Sequence, residues 1–429
     1  MILLANLKPF KGLRFNTEKA GKLEQLCCPP YDIISDEQRE EYLKTNEHNI
    51  IRLELPKGEN PYGTAAQIFA DWKENEILVP EDSPALYIYE EEFTAYGERR
   101  SIKGLIARVK LEEFSKGIIL PHEFTLSKAK EDRLNLMKAT NCNFSQIYAL
   151  YMDGEHKTQK EIERCSNGGA DMEFTDGDGV THRMWIVKDE ATTAQICADF
   201  DDRKLFIADG HHRYETALNY RNYCRENGIS KEGGAQDYQM IFLMDMEHLG
   251  LVVFPTHRLI RDLPEFDGND VLEKCREYFD VCPLENAADA EKELAKLYDA
   301  GKKAFVFYFD GCANILTFKC DAEISELFPD ISDALAQLDV TVLHTLILEN
   351  ILGIDKENMA NQINLTYTKK LEEAIDGVNS GKYQAAFILN PTRVTQIRDV
   401  AANGEKMPQK STYFYPKMIT GMVINELTD

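Results

Sequence analysis

The sequence predicts an α+β fold built on a mixed sheet, and three observations carry that expectation. Strand-like and helix-like runs follow one another irregularly, without the strict alternation of a doubly wound sheet. One stretch, "RKLFIADGHHRYETALNY", passes from a short apolar run through an Asp-Gly turn into helical spacing. The 429 residues, 43% hydrophobic and 28% charged, are globular in composition and too many for one ordinary core. The expected division is a phosphate-binding region over 1–264, a small α/β unit over 265–335, and a C-terminal α/β segment over 336–429 bearing a Lys/Tyr-rich loop.

The elements follow in order. Pro29 and Pro30 hold "CCPPYDII" extended. Ser35 caps the next helix, with Gln38 at the capping-box position. A second helix is expected over 62–76, and strands over 85–94 and 101–112, joined by a turn at Gly97. "GIILP" is a short strand, and a basic amphipathic helix covers 127–140. Residues 144–152 form a strand, 166–182 an exposed hairpin, and 190–200 a helix. After the Asp-Gly turn, apolar or aromatic residues at 214, 217, 218, 220 and 224 mark a helix that Gly228 stops. Strands are expected at 238–245 and 249–254. Acidic helices are expected at 270–280 and 287–300, strands at 303–309 and 313–319, an apolar helix at 338–352, and a buried strand at 383–391.

Charge and cysteine usage exclude several roles. The net charge of −24 argues against non-specific binding to nucleic acid or to anionic membrane, both of which need Lys and Arg in excess. A small anionic substrate stays compatible, because a local donor cluster overrides the global field. The ten cysteines contain no C-x-x-C pair and read as thiols of a reducing compartment. The apolar start "MILLANL" is too short for a signal peptide, so a soluble, cytoplasmic protein is expected. A homo-oligomer is compatible with this composition.

Four stretches carry candidate chemistry. The first is Asp209, Gly210, His211, His212 and Arg213, placed at a helix N-terminus where amides and dipole face an anion. Gly210 lets the backbone bend, and the two His and the Arg add donors for phosphate oxygens. Asp209 is read either as a helix cap or as a Mg²⁺ ligand. The same turn also admits a bland reading, a cap with surface histidines. His211 and Glu215, at i and i+4, could instead share a metal. The second stretch holds His122, Glu123 and Thr125, followed by Lys128, Lys130 and Arg133. A carboxylate beside cations can act as a general base, although a solvated helix start would look similar. The third is "KMPQKSTYFYPK", with Lys410, Ser411, Thr412 and Lys417 read as phosphate ligands or as a solvated basic turn before a strand. It lacks the Gly of a P-loop, since residue 409 is Gln. The fourth comprises Tyr31, Asp32, Arg52 and His257, read as substrate contacts or as structural turns. Histidines 48, 156, 182, 248 and 344 stand alone and read as structural. G-x-S-x-G, H-E-x-x-H and G-x-G-x-x-G are absent.

The strings "CCPPYDIIS", "NIIRLELP", "LPHEFTLSKAKEDRL", "FIADGHHRYETAL" and "KMPQKSTYFYPKMITGMVI" resemble, in that order, the family called domain of unknown function 1015. The Asp-Gly-His-His-Arg turn is also similar to the phosphate-binding turn of the ParB and sulfiredoxin superfamily, which includes free serine kinases. That second resemblance implies a ParB/sulfiredoxin-like core. It also implies that residues 209–213 bind donor phosphates and that Glu123 takes the proton from the acceptor hydroxyl. The sulfiredoxin cysteine has no counterpart here. The expected function is therefore a small-molecule phosphotransferase, acting on L-serine with ATP, ADP or pyrophosphate and Mg²⁺. Two alternatives are a nucleotide-binding regulator of ParB type, switched by CTP or ATP, and a metal-dependent hydrolase.

Overall fold

The computed structural model describes residues 4–125, 127–319 and 324–428, and Cys320 lies outside them. The chain forms two units. The first comprises Met1–Pro121, Thr125–Val252 and Pro416–Asp429; the second comprises His122–Phe124 and Val253–Tyr415. This replaces the expected consecutive division at 264 and 335. The reason is hydrogen bonding: strands His257–Ile260, Ala304–Phe309, Leu365–Thr368 and Ala385–Ile388 all join one sheet, so one core spans the expected boundaries.

The first unit is built on a nine-stranded mixed sheet among the described residues. Its path runs Ile119–Leu120, Leu205–Asp209, Ile147–Tyr151, Tyr238–Asp245, Glu98–Lys110, Leu86–Ala95, Thr181–Val187 and Met172–Thr175, and Leu7–Lys8 also pairs with Glu98–Lys110. Leu205–Asp209 is parallel to Ile119–Leu120 and antiparallel to Ile147–Tyr151. Side chains alternate across the pleat. Leu205 and Ile207, with Ile147, Ala149 and Tyr151, bury one face against Tyr214, Ala217 and Leu218 of helix His211–Glu226. The Ser35–Gln38 capping box is present as expected.

The second unit carries a six-stranded sheet ordered Phe279–Leu284, Cys312–Phe318, Ala304–Phe309, Ala385–Ile388, His257–Ile260, Leu365–Thr368. Every adjacent pair in it is antiparallel. Both faces of strand Ala304–Phe309 are covered. Phe305, Phe307 and Phe309 enter one core with Leu343 and Ile347, while Ala304, Val306 and Tyr308 enter another with Leu294 and Ala374.

Two expectations change here. The helix expected over 270–280 ends at Cys275, and Phe279–Leu284 is a strand, because pairing with Cys312–Phe318 outweighs local helix preference. The apolar helix expected over 338–352 is an α-turn, Asp339–Val342, followed by a π-helix, Leu343–Glu349. The described cysteines are free thiols, with Cys27 and Cys28 buried. Among the described residues no helix is long and apolar enough to cross a membrane.

Candidate functional site

In the first unit, strand Leu205–Asp209 ends in a register shift between Ile207 and Asp209. Such a bulge re-aims the side chain that follows it. Gly210 then takes φ 94° and ψ 29°, and helix His211–Glu226 begins. Gly210 is itself the N-cap, so no cap side chain covers the first amides, and the expectation that Asp209 caps the helix is corrected. Asp209 has another task. One carboxylate oxygen accepts from Arg213 Nη2 at 2.6 Å, and the other accepts from Lys417 Nζ. A second Arg213 nitrogen donates to the Gln146 carbonyl. Burial pushes the Asp209 carboxyl up, but Lys417 and Arg213 outweigh it and hold the group well below the usual carboxylate range. His211 is buried and adds to that lowering. Two cations thus meet one carboxylate at a helix N-terminus, a place that suits an anion.

The turn is sensitive to the backbone. A Cβ on Gly210 would stand 3.0 Å from Arg213 Nε and 3.1 Å from Cζ, at a positive φ. We expect Gly210→Ala to destabilise the chain by roughly 1–2 kcal/mol in urea denaturation. An unchanged midpoint would show that the turn accepts a side chain.

Behind Arg213 lies a second layer that sequence reasoning missed in part. Arg133 is buried, lies 4.1 Å over the Tyr31 ring, and donates to the Glu54 carbonyl at 2.5 Å and to Asp132 at 2.6 Å. Glu54 is 3% exposed; its Oε1 accepts from Ser145 Oγ at 2.8 Å. Burial raises the Glu54 carboxyl above its ordinary value, and Arg133 and Ser145 offset part of the rise. Asp32, Tyr31 and Glu54 all act electrostatically on Arg213. Burial pushes the Tyr31 phenol up to about 12. Glu54, Arg133, Ser145 and Arg213 surround a cavity of about 40 Å³. Glu54 and Ser145 had not been singled out. The available signal was an acid closing the apolar run "NIIRLELP".

Other expected residues take different places. Thr125 and Lys130 both donate to Glu215, at 2.7 and 2.6 Å. Both bonds fall on Oε2, so the carboxylate read as sharing a metal with His211 faces the Lys130 ammonium instead. Asp209 likewise does not fit direct coordination of Mg²⁺, because its two oxygens already face cations. Among the described residues no group of three or more His, Cys, Asp or Glu side chains could hold a metal ion. Arg52 donates to the Leu43 carbonyl at 3.0 Å and ties helix Ile51–Glu54 to its neighbour.

The second unit gathers another expected set. His122 is buried, its Nε2 lies 3.2 Å from Thr412 Oγ1, and its carbonyl accepts from the Met407 amide at 2.8 Å. A Glu123 oxygen accepts from the Lys410 amide at 3.3 Å. Ser411 donates to the Pro408 carbonyl, and Lys410 has φ 55°. The stretch 406–417 is therefore divided. Lys410, Ser411 and Thr412 belong to the second unit with His122 and Glu123, whereas Lys417 belongs to the first with Asp209. His257 is fully buried in its strand, with Nδ1 accepting from the Leu389 amide at 3.4 Å and Nε2 3.4 Å from Glu291. It holds a core position.

Comparison with known proteins gives one family and several distant solved structures. The family model described as "Protein of unknown function (DUF1015)" matches residues 7–341. No curated protein matches the sequence. A conserved hypothetical protein from Pyrococcus furiosus is 15% identical, with a TM-score of 0.35, over 72% of this chain and 93% of that one. A free serine kinase in complex with AMP is 14% identical, with a TM-score of 0.38, over 73% and 89%. SbnI with a C-terminal truncation, from Staphylococcus aureus, is 8% identical, with a TM-score of 0.35, over 74% and 86%. Likenesses at these scores carry no functional argument.

Proposed function

This chain belongs to the DUF1015 family, and we propose that it is a small-molecule phosphotransferase whose phosphoryl group is held at residues 209–213. The observation that supports this reading is the turn itself. An uncapped helix start, two cations on one half-buried carboxylate and two histidines come together at the end of a bulged strand. Phosphoryl transfer needs mostly positioning and offset of charge, which such a turn supplies.

The finer reading is a kinase for free L-serine, with ATP, ADP or pyrophosphate as donor, in line with the resemblance to the ParB and sulfiredoxin superfamily. In that reaction the donor P–O bond breaks, a new P–O bond forms to the acceptor hydroxyl oxygen, and the hydroxyl proton leaves. The amides of residues 211–213, His212 and Lys417 would hold the donor phosphates. Lys410, Ser411 and Thr412 remain candidate donor ligands, and Glu123 the candidate proton acceptor. Mg²⁺, where the donor requires it, would arrive with the donor phosphates.

Phosphorus NMR tests the proposal. Protein is incubated with Mg²⁺, L-serine and, separately, ATP, ADP and pyrophosphate, beside Glu123→Ala and His212→Ala. The expected result is a phosphoserine signal with one donor, lowered in His212→Ala by about 100-fold or more. Loss in Glu123→Ala supports its role as base. Donor binding without turnover in every tube would favour the nucleotide-binding regulator and remove the kinase.

A further inference from the structure

The second unit contains a cavity of about 690 Å³, far from empty of chemical detail. Phe124, Phe328, Leu335 and Met359 line it with hydrocarbon, and Thr341 and His344 add polar groups. The volume is that of a small-molecule site. Three observations point to a ligand. First, Thr341 is 5% exposed and its Oγ1 has no hydrogen-bond partner. A buried hydroxyl left so costs stability unless something fills the space beside it. Second, His344 lies in the π-helix Leu343–Glu349, a wide turn frequent at functional positions. Its Nε2 accepts from Arg258 Nε at 3.1 Å, so the proton of the neutral ring stands on Nδ1, a donor. Third, Arg258 is fully buried, and among the described residues no carboxylate pairs with it. It donates to the carbonyls of Thr256 and Lys410 and to His344, all uncharged acceptors. A buried cation of this kind leaves positive potential behind His344 that favours an anion in front of it.

We propose that this cavity binds a small apolar carboxylate, with Thr341 Oγ1–H and His344 Nδ1–H donating to its oxygens and Phe124, Phe328, Leu335 and Met359 packing its hydrocarbon. Arg258 positions His344 and supplies the field without touching the ligand. Among the lining residues, Lys406 and Lys356 balance Asp330 and Glu349 in formal charge and leave the choice of head group to Thr341 and His344. None of its lining residues belongs to the turn at 209–213, although Phe124 follows Glu123 in the chain and Arg258 donates to the Lys410 carbonyl.

The test is isothermal titration calorimetry on the full chain with octanoate, 1-octanol and acetate. Octanoate should bind saturably at one site. Octanol, which lacks the charge, should bind at least about tenfold more weakly, and acetate, which lacks the hydrocarbon, should show no saturable heat. Thr341→Val keeps the shape and removes one donor. It should weaken octanoate about five- to tenfold while leaving the thermal midpoint of the free protein level or higher. Leu335→Trp fills the cavity and should abolish binding; if that variant does not fold, Thr341→Val decides alone. Octanol binding as tightly as octanoate, octanoate failing to saturate, or Thr341→Val binding like the parent would each overturn the proposal.

Discussion

Asp209→Ala should lower the unfolding free energy by about 3 kcal/mol, because removing one partner of a largely buried charge cluster strands the others. Arg213 and Lys417 both donate to this carboxylate, and their side chains are only 10% and 15% exposed. In the variant, two cations would face each other across the gap with no acid between them. The double variant Asp209→Ala/Lys417→Met removes one of the two and should recover part of the loss. Urea denaturation of the three proteins measures both effects. A single-variant loss below about 1 kcal/mol would place the cluster among surface pairs of little weight. The sign with pH follows. Asp209 titrates below its ordinary value, so its contribution is present above that value and disappears as pH falls through the folded one.

His182 should make stability fall as pH rises from 6.5 to 9. Its ring is 1% exposed, with Nδ1 2.8 Å from the Tyr89 hydroxyl and Nε2 3.1 Å from Asp176. Glu91 stands 3.4 Å from Nδ1. Burial alone would lower the His182 pKa, but hydrogen bonds and charge from Asp176 and Glu91 outweigh it and raise the group to about 9. A folded-state pKa above the unfolded one stabilises fully below the unfolded value of about 6.5. That stabilisation is lost as pH climbs through 9. The size is on the order of 3 kcal/mol, of which Glu91, itself raised by burial, offsets a part. The comparison is with His182→Gln, whose stability should run flatter over the same window, measured by urea denaturation at half-unit steps. Parallel curves for the two proteins would mean that His182 is neutral in the fold.

Much of the secondary structure was legible in the chain. "IADGHHRYETALNY" carries an apolar strand, a glycine at a turn and apolar residues at helical spacing, and the protein forms strand Leu205–Asp209 and helix His211–Glu226 there. Ser35 and Gln38 announced a capping box that is present. These signals are local: periodicity and capping act within a turn or two of chain. The strand Phe279–Leu284 was not legible, because its six residues become a strand only by pairing with Cys312–Phe318. The unit boundaries escaped for the same reason, since Leu365–Thr368 and Ala385–Ile388 join a sheet begun more than a hundred residues earlier.

The candidate site divides along the same line. By itself the sequence determined that residues 209–213 crowd an acid, a glycine and basic side chains at a helix start, because those groups are neighbours in the chain. Only the tertiary structure decided what Asp209 does. Lys417, 208 positions later, meets its carboxylate, and Arg213 turns back onto it, so a residue read as a cap or metal ligand is an anchor for two cations. Glu54 and Ser145, 91 positions apart, form a buried pair that no local pattern could show. Arg258 and His344, 86 positions apart, likewise became a buried cation and its uncharged acceptor. Spacing along the chain fixes which groups share a turn. Which charges face each other out of water is fixed by packing, which brings together residues whose separation in sequence carries no trace of it.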